Sequence, residues 1–378
     1  MRKFQALSLS AALLASLLLG GCANNAASSD AASSDSAASE PEATPEPTPA
    51  PPAANPLTGA ADADYTGKRP VAVTLRNMTG STPQWGIASA DVLVEGVTEG
   101  TTASLMALYA NPDSIAKAGP VGPARDLLLQ VALPLNAVPV HIDKNIYASN
   151  LLNTLAYQDL DGYHIGKTAF AFDQDRQNAG YAEENCWYTT AELINSGLAS
   201  YGVSLNGDNT PLFQFGERPA VDPADRSGMN LTITFSPDDI DCLNYDTGTG
   251  LYALSNGDGS PVQDADNGQQ VGFTNVFVFY ASSGIKDDGY TRQYDMTAGT
   301  GLYLHGGAWE RINWTKEDAT GPFAITNEAG ETLVVSQGKS FIAIWGGYYG
   351  QSISLTAADG SAQTLPDKPA LLESGISE

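Results

Sequence analysis

Glu95, Glu99, Arg125, His141 and Asp143 are titratable or charged side chains set inside apolar stretches of a chain with few charges, and this is where chemistry is sought first. Glu95 and Glu99 flank a glycine between apolar runs, and Arg125 stands beside Asp126 at the start of a helical pattern. Two carboxylates and a guanidinium suit a glycosidase-like or sugar-binding pocket. The same groups serve equally well as a buried ion pair joining a strand end to a helix. His141 and Asp143 are two residues apart, so on a strand both point to one face. That pair suits an oriented general base or two metal ligands, and also an ordinary strand-end polar pair. Asp173 and Asp175 alternate as cation ligands can, but no Gly-containing calcium loop follows, and a solvated turn is the simpler reading. His164 and His305 have no partners nearby in sequence and read as structural or surface residues. In Trp345-Gly346-Gly347-Tyr348-Tyr349 the glycines favour a loop that holds Trp345, Tyr348 and Tyr349 near solvent, as stacking surfaces for a sugar or peptide. No P-loop, dinucleotide fingerprint, Gly-x-Ser-x-Gly elbow or His-Glu-x-x-His pattern occurs, so neither cofactor nor metal is expected.

Two kinds of element must position these groups. Residues 55–222 mix short apolar strands (70–75, 91–95, 103–109, 138–142) with helical spacing over 123–135, 147–157 and 190–198. The last of these starts at a Thr and has Gly197 near its end. After a polar stretch rich in Asp and Pro, residues 228–365 change grammar. Short strands at 231–235, 251–254, 271–280, 301–305, 309–314, 332–335 and 341–345 are punctuated by Asp-Gly, Asn-Gly, Thr-Gly and Gly-Gly turns. The expected fold class is α+β: a mixed α/β N-terminal domain, then a β-rich C-terminal domain built as a sandwich or partly open barrel. Cys186 and Cys242 lie on either side of that boundary and read as two unpaired thiols, with an interdomain disulfide as the alternative.

The first 54 residues are not fold. Arg2 and Lys3 precede an uncharged, mostly apolar run over 4–19, and Leu19-Gly20-Gly21-Cys22 follows. This resembles a lipoprotein signal peptide over residues 1–22, cut before a Cys22 that takes a diacylglycerol. Residues 23–54, made of Ala, Ser, Asp, Glu and Pro, read as a disordered tether spanning ~30 Å as a coil. Cleavage removes Arg2 and Lys3 and no acid, so 18 basic residues become 16 against 43 acidic, and the net charge passes from −25 to −27. An acidic body is repelled by an anionic membrane, so the lipid supplies the attachment. The same acidity excludes nucleic acid, whose phosphates need a basic footprint.

A family resemblance follows from several segments taken in order. They are Asn55-Pro56-Leu57-Thr58-Gly59; Arg69-Pro70-Val71-Ala72-Val73 with Asn77; Pro83-Gln84-Trp85-Gly86 with Ala90-Asp91 and Glu95; Glu99-Gly100-Thr101-Thr102; and Gly119-Pro120-Val121 ending at Arg125. Tyr245-Asp246, Gly250, Tyr252, Asn275-Val276, Tyr303, Gly307, Trp309, Trp314 and Lys316 continue the pattern. Together they resemble the DUF3048 family over residues 55–358. Gly122 stands where the family usually has a second Arg, and Glu183-Glu184-Asn185 replaces a Pro-His-Asn triplet, leaving Asn185 as a candidate ligand contact. The resemblance implies a lipoprotein of the cell envelope and carries no settled activity.

The preferred reading is a membrane-anchored extracytoplasmic lipoprotein that binds a cell-wall glycan or an envelope protein without catalysis. The alternative is an envelope hydrolase or transferase, which requires Glu95, Glu99, Arg125 and His141 to converge in one cleft. A third, an importer's substrate-binding lipoprotein, requires two similar α/β lobes and ranks last because the second half reads as β only.

Overall fold

In the computed structural model, which describes residues 53–217 and 226–372, the apolar runs read near the start of the chain are strands. β1 (Val71–Arg76), β2 (Val92–Glu99) and β3 (Thr102–Tyr109) pair antiparallel in the order β2-β3-β1, and β4 (Val138–His141) and β5 (Leu160–Asp161) follow in parallel beyond β1. The signal peptide, Cys22 and the tether through residue 52 lie outside the described residues, as do residues 218–225 between the halves.

Among the described residues of the second half, every regular element is a strand. In chain order these are β6 (Asn230–Ser236), β7 (Asp239–Asp246), β8 (Leu251–Asn256), β9 (Gly272–Phe273), β10 (Asn275–Tyr280), β11 (Ala298–His305), β12 (Ala308–Thr315), β13 (Ala324–Asn327), β14 (Ser340–Trp345) and β15 (Ser352–Thr356), besides shorter pairs. Strands β6 to β9 and β15 form a five-stranded antiparallel sheet in the order β9-β8-β7-β6-β15. The rest join the first half in one ten-stranded sheet, β13-β12-β11-β10-β14-β2-β3-β1-β4-β5. Strand β14 lies between β10 and β2 and runs parallel to both. All six residues of β10 and all six of β14 are buried, which is why both read as unbroken apolar runs.

Both faces of the large sheet are covered. On one face the five-stranded sheet packs through Leu231, Ile233, Phe235, Leu243, Leu254 and Leu355 onto Leu93, Val97, Leu105 and Phe341. On the other, α1 (Asp126–Ala132) buries Leu127, Leu128 and Val131 against Val92, Val94 and Met106. This is a helix-containing N-terminal region and a strand-rich C-terminal region, as the sequence implies.

Two local departures have physical reasons. α2 (Ile146–Thr154) and α3 (Ala191–Tyr201) begin where expected, with the Asn145 and Thr190 side chains accepting from the Ala148 and Leu193 N–H groups. But Gly197 does not end α3. It lies inside the helix, where an added Cβ would stand 2.6 Å from the Ala169 Cβ, and the helix ends at Gly202 with φ of +66°. The run over 271–280 is not one strand. It divides at Thr274, so Phe273 pairs in the small sheet and Asn275 in the large one. Cys186 and Cys242 are both free. Among the described residues no helix is long and apolar enough to cross a membrane.

Candidate functional site

β2 alternates its faces. Val92 and Val94 point to the α1 side, while Leu93 and Val97 point to the five-stranded sheet. Glu95 shares the face of Leu93 and Val97, in the middle of the large sheet between β3 and β14, and is only 2% exposed. A carboxyl group there needs partners from the opposite layer. Strand β7 supplies Asp239 and Asp241, two apart, with Asp241 on the inward face it shares with Leu243. Carboxylate oxygens of Glu95, Asp239 and Asp241 lie within 4.8 Å of one another.

The three line a cavity of about 550 Å³ between the layers. Ile87, Leu93, Leu105, Leu254 and Val262 form its apolar wall, and Asn77, Gln84, Asn256 and Gln263 add carboxamides. The Asn77 Nδ2 donates to Glu95 Oε1 at 2.6 Å, while its Oδ1 accepts from Gln84 Nε2 at 2.8 Å. That relay fixes which way the Asn77 amide faces. Asp241 Oδ2 is buried with no hydrogen-bond partner.

Burial dominates the electrostatics here. It raises the Glu95 carboxyl well above the ordinary value, and the charges of Asp241 and Asp239 add to this. Burial pushes Asp239 up to about 6, against the hydrogen bond from Glu95. Burial, then the Asp239 charge, pushes Asp241 up to about 7. A carboxyl group raised in the folded state holds its proton more tightly there than when unfolded. Its contribution to stability is full below about pH 4 and is lost as pH rises through about 6 to 7. In chelator, the urea midpoint is therefore expected to fall between pH 5 and pH 8, with a flatter fall in Asp241→Asn. An identical slope in both proteins would refute this assignment.

The other expected site residues go elsewhere. Glu99 does not share the face of Glu95, because a bulge between Val97 and Glu99 inserts an extra residue and re-aims it. Glu99 instead meets Arg125 at the start of α1, at 2.6 Å to Nε and 3.0 Å to Nη2, a two-point ion pair joining strand end to helix. His141 is fully buried at the end of β4, its Nδ1 2.9 Å from the Asp143 carbonyl and its Nε2 3.0 Å from Asp159 Oδ2. Asp143 faces it through the backbone, with φ of +73°, and the carboxylates beside the ring are Asp159 and Asp161. Lys144 Nζ bridges those two at 2.7 and 3.1 Å, so this cluster already contains its cation. Glu95, Glu99, Arg125 and His141 thus fall in three separate places, and of the four only Glu95 lines the cavity. Asp173 caps a short helix and pairs with Lys117 at 2.5 Å. His164 is exposed near Asp161, and His305 bonds Ser336 Oγ and the Thr274 carbonyl.

Of the aromatic candidates, Trp345 is a correction. It ends β14, is 1% exposed and packs on Tyr280, because it continues a strand buried on both faces. Tyr348 lies under the Arg292 guanidinium, 3.5 Å from the ring centre, and Tyr349 alone is open at 95% exposure. Asn185 Nδ2 donates to the Gly80 carbonyl at 3.1 Å. An added Cβ at Gly122 would meet the backbone of Leu75 and Arg76 at 3.1 Å and Arg76 Cγ at 3.2 Å, so β1 crowds any side chain there.

Sequence reading found Glu95 and missed Asp239 and Asp241. Their alternating spacing was the available signal, the same one weighed at Asp173 and Asp175.

Known proteins bear on the chain as a whole. A protein of Bacillus subtilis (strain 168) named as a candidate lipoprotein, YerB, is 27% identical over 274 residues, covering 68% of this chain and 78% of that one. The crystal structure of the YerB protein from Bacillus subtilis matches with a TM-score of 0.69 at 24% identity, over 80% of this chain and 99% of that one, and shows the fold alone. Residues 57–204 match the family described as "Protein of unknown function (DUF3048) N-terminal domain", and residues 231–342 match its C-terminal domain. With both halves matched in order, the chain belongs to the DUF3048 family.

Proposed function

We propose that this protein is a lipoprotein of the extracytoplasmic membrane face, held by a diacylglycerol on Cys22, that binds a hydroxyl-rich wall component in the cavity between its two sheets. The leader pattern ending at Cys22 and the relative's lipoprotein name support the anchor. The meeting of the two sheets, with Glu95 on one and Asp239 and Asp241 on the other, supports a receptor site between them. The carrying observation is the cavity itself: about 550 Å³, with an apolar wall and clustered carboxylate and carboxamide acceptors. Acceptors set beside an apolar surface match a sugar ring, which offers hydroxyl donors at its rim and C–H groups on its face.

The hydrolase alternative rests on the raised carboxyl groups, which would act as a general acid and base. A glycosidase separates its two carboxyls by ~5 Å or more with the sugar between them. Here the three carboxyls form one cluster, and Glu95 hydrogen-bonds Asp239 directly, which leaves no room for a sugar between that pair and favours binding over cleavage.

Glycan strands released from purified bacterial cell wall test both readings. Calorimetry with the full-length protein in detergent is expected to show saturable binding, at least tenfold weaker in Gln84→Ala and unchanged in Glu99→Gln. Absence of binding, or equal loss in both variants, would sink the receptor reading. Release of new reducing ends that disappears in Glu95→Gln would replace it with the hydrolase.

A further inference from the structure

We infer that Glu95, Asp239 and Asp241 hold a calcium ion in this cavity, with open coordination positions facing the space where the wall component would bind. The inference rests on the receptor reading of the same cavity and deepens it.

Three observations carry it. The donor atoms are all carboxylate oxygens, a hard set that suits calcium, magnesium or manganese rather than zinc. They lie within 4.8 Å of one another, close enough to share one ion. Calcium accepts irregular shells of six to eight oxygens, whereas magnesium demands near-ideal octahedral geometry that three carboxylates on two rigid sheets do not provide. Second, Asp241 Oδ2 has no hydrogen-bond partner although Asp241 is only 7% exposed and lines the cavity. A buried carboxylate oxygen without a donor has a large desolvation cost that a cation removes.

The third is the contrast with the other acidic cluster. His141, Asp159 and Asp161 also lie within 4.8 Å of one another, but Lys144 Nζ sits between the two carboxylates at 2.7 and 3.1 Å. Among the described residues no Lys, Arg or His forms an ion pair with Glu95, Asp239 or Asp241. One cluster has an internal cation and the other is arranged to receive one from solution. Two carboxylates come from β7 and one from β2, so rigid sheets on opposite sides fix the donor positions. The Asn77–Gln84 relay orients Glu95 from behind, as outer partners orient metal ligands. Calcium takes six to eight oxygens, so sugar hydroxyls can complete the shell.

The test uses full-length protein in detergent, stripped with chelator and titrated with calcium chloride alone at pH 7.5, then with magnesium chloride. The expected result is one calcium ion per chain with a Kd on the order of 10⁻⁴ M, as in extracytoplasmic modules, and a Tm that rises with calcium concentration. Asp241→Asn and Glu95→Gln should each weaken binding at least tenfold while keeping the native circular dichroism. Affinity should drop as pH falls from 8 to 6, because protons compete for the same oxygens. No heat and no Tm shift up to ~10 mM calcium, tighter binding of magnesium, or unchanged binding in both variants would each overturn the inference. Calcium binding without any glycan binding leaves the cation site standing and removes the receptor reading. Glycan binding by protein that takes up no calcium does the reverse.

Discussion

Lys144→Met is expected to lower unfolding stability by about 3–5 kcal/mol in urea titrations at pH 7. The lysine side chain is mostly buried and pairs with Asp159 and Asp161, the second of which is nearly inaccessible. Removing one member of such a group leaves the others as uncompensated buried charge, which costs far more than the pair contributes. Methionine keeps the volume, so the loss reports charge and not a cavity. Asp159 shows the dependence. Burial alone would raise its pKa, yet His141 and Lys144 outweigh burial and hold it at about 2. A carboxyl group depressed in the folded state stabilises above about pH 4, and that contribution is lost as pH falls through about 2. In Lys144→Met the drop in stability between pH 4 and pH 2 should therefore be smaller. Adding Asp159→Asn should restore part of the loss. A single-variant loss under about 1 kcal/mol would show that the network is a solvated surface pair.

Phe277→Ala is expected to lower stability by about 3–5 kcal/mol. Phe277 lies in β10, fully buried, with Phe213 stacked 4.3 Å away and Tyr303 4.6 Å away, both at 24° between planes. Alanine removes the middle ring of a three-ring stack. Both neighbours lose a face, and the strand is too tightly paired to close the gap. Phe277→Leu should cost clearly less, because it refills most of the volume. Equal midpoints for the two variants would mean that refilled volume recovers nothing and that the cavity account of the loss is wrong.

Much of this fold is legible in the chain because local pattern and tertiary role agree. Strands β1 to β3 alternate or run apolar as their burial requires, and Asn145 and Thr190 announce their helices. Gly197 misleads because glycine marks both helix ends and close approaches, and only the position of Ala169 decides between them. The strand at Asp239–Asp246 is hidden because its inward residues include the two aspartates while Ile240 and Cys242 lie on the outward side, so its apolar residues show no period of two. The site divides in the same way. Glu95 stands out as a charge in an apolar strand, but its partners lie in another sheet far along the chain, and no local spacing encodes that pairing. Glu99 looks like a companion of Glu95 by spacing alone, and a single bulged residue separates them.

Strand β14 also bears on when the protein can assume its shape. It pairs directly with β2, although residues 340 and 92 are at opposite ends of the folded region. Until the last stretch of chain arrives, β2 and β10 each present an open edge toward the other, and the central ladder of the sheet cannot close. The loop to be closed is nearly the whole body, so folding is governed by a contact of very high sequence separation. The leading half therefore stays incompletely paired until the chain is present through β14, and the sheet locks only then.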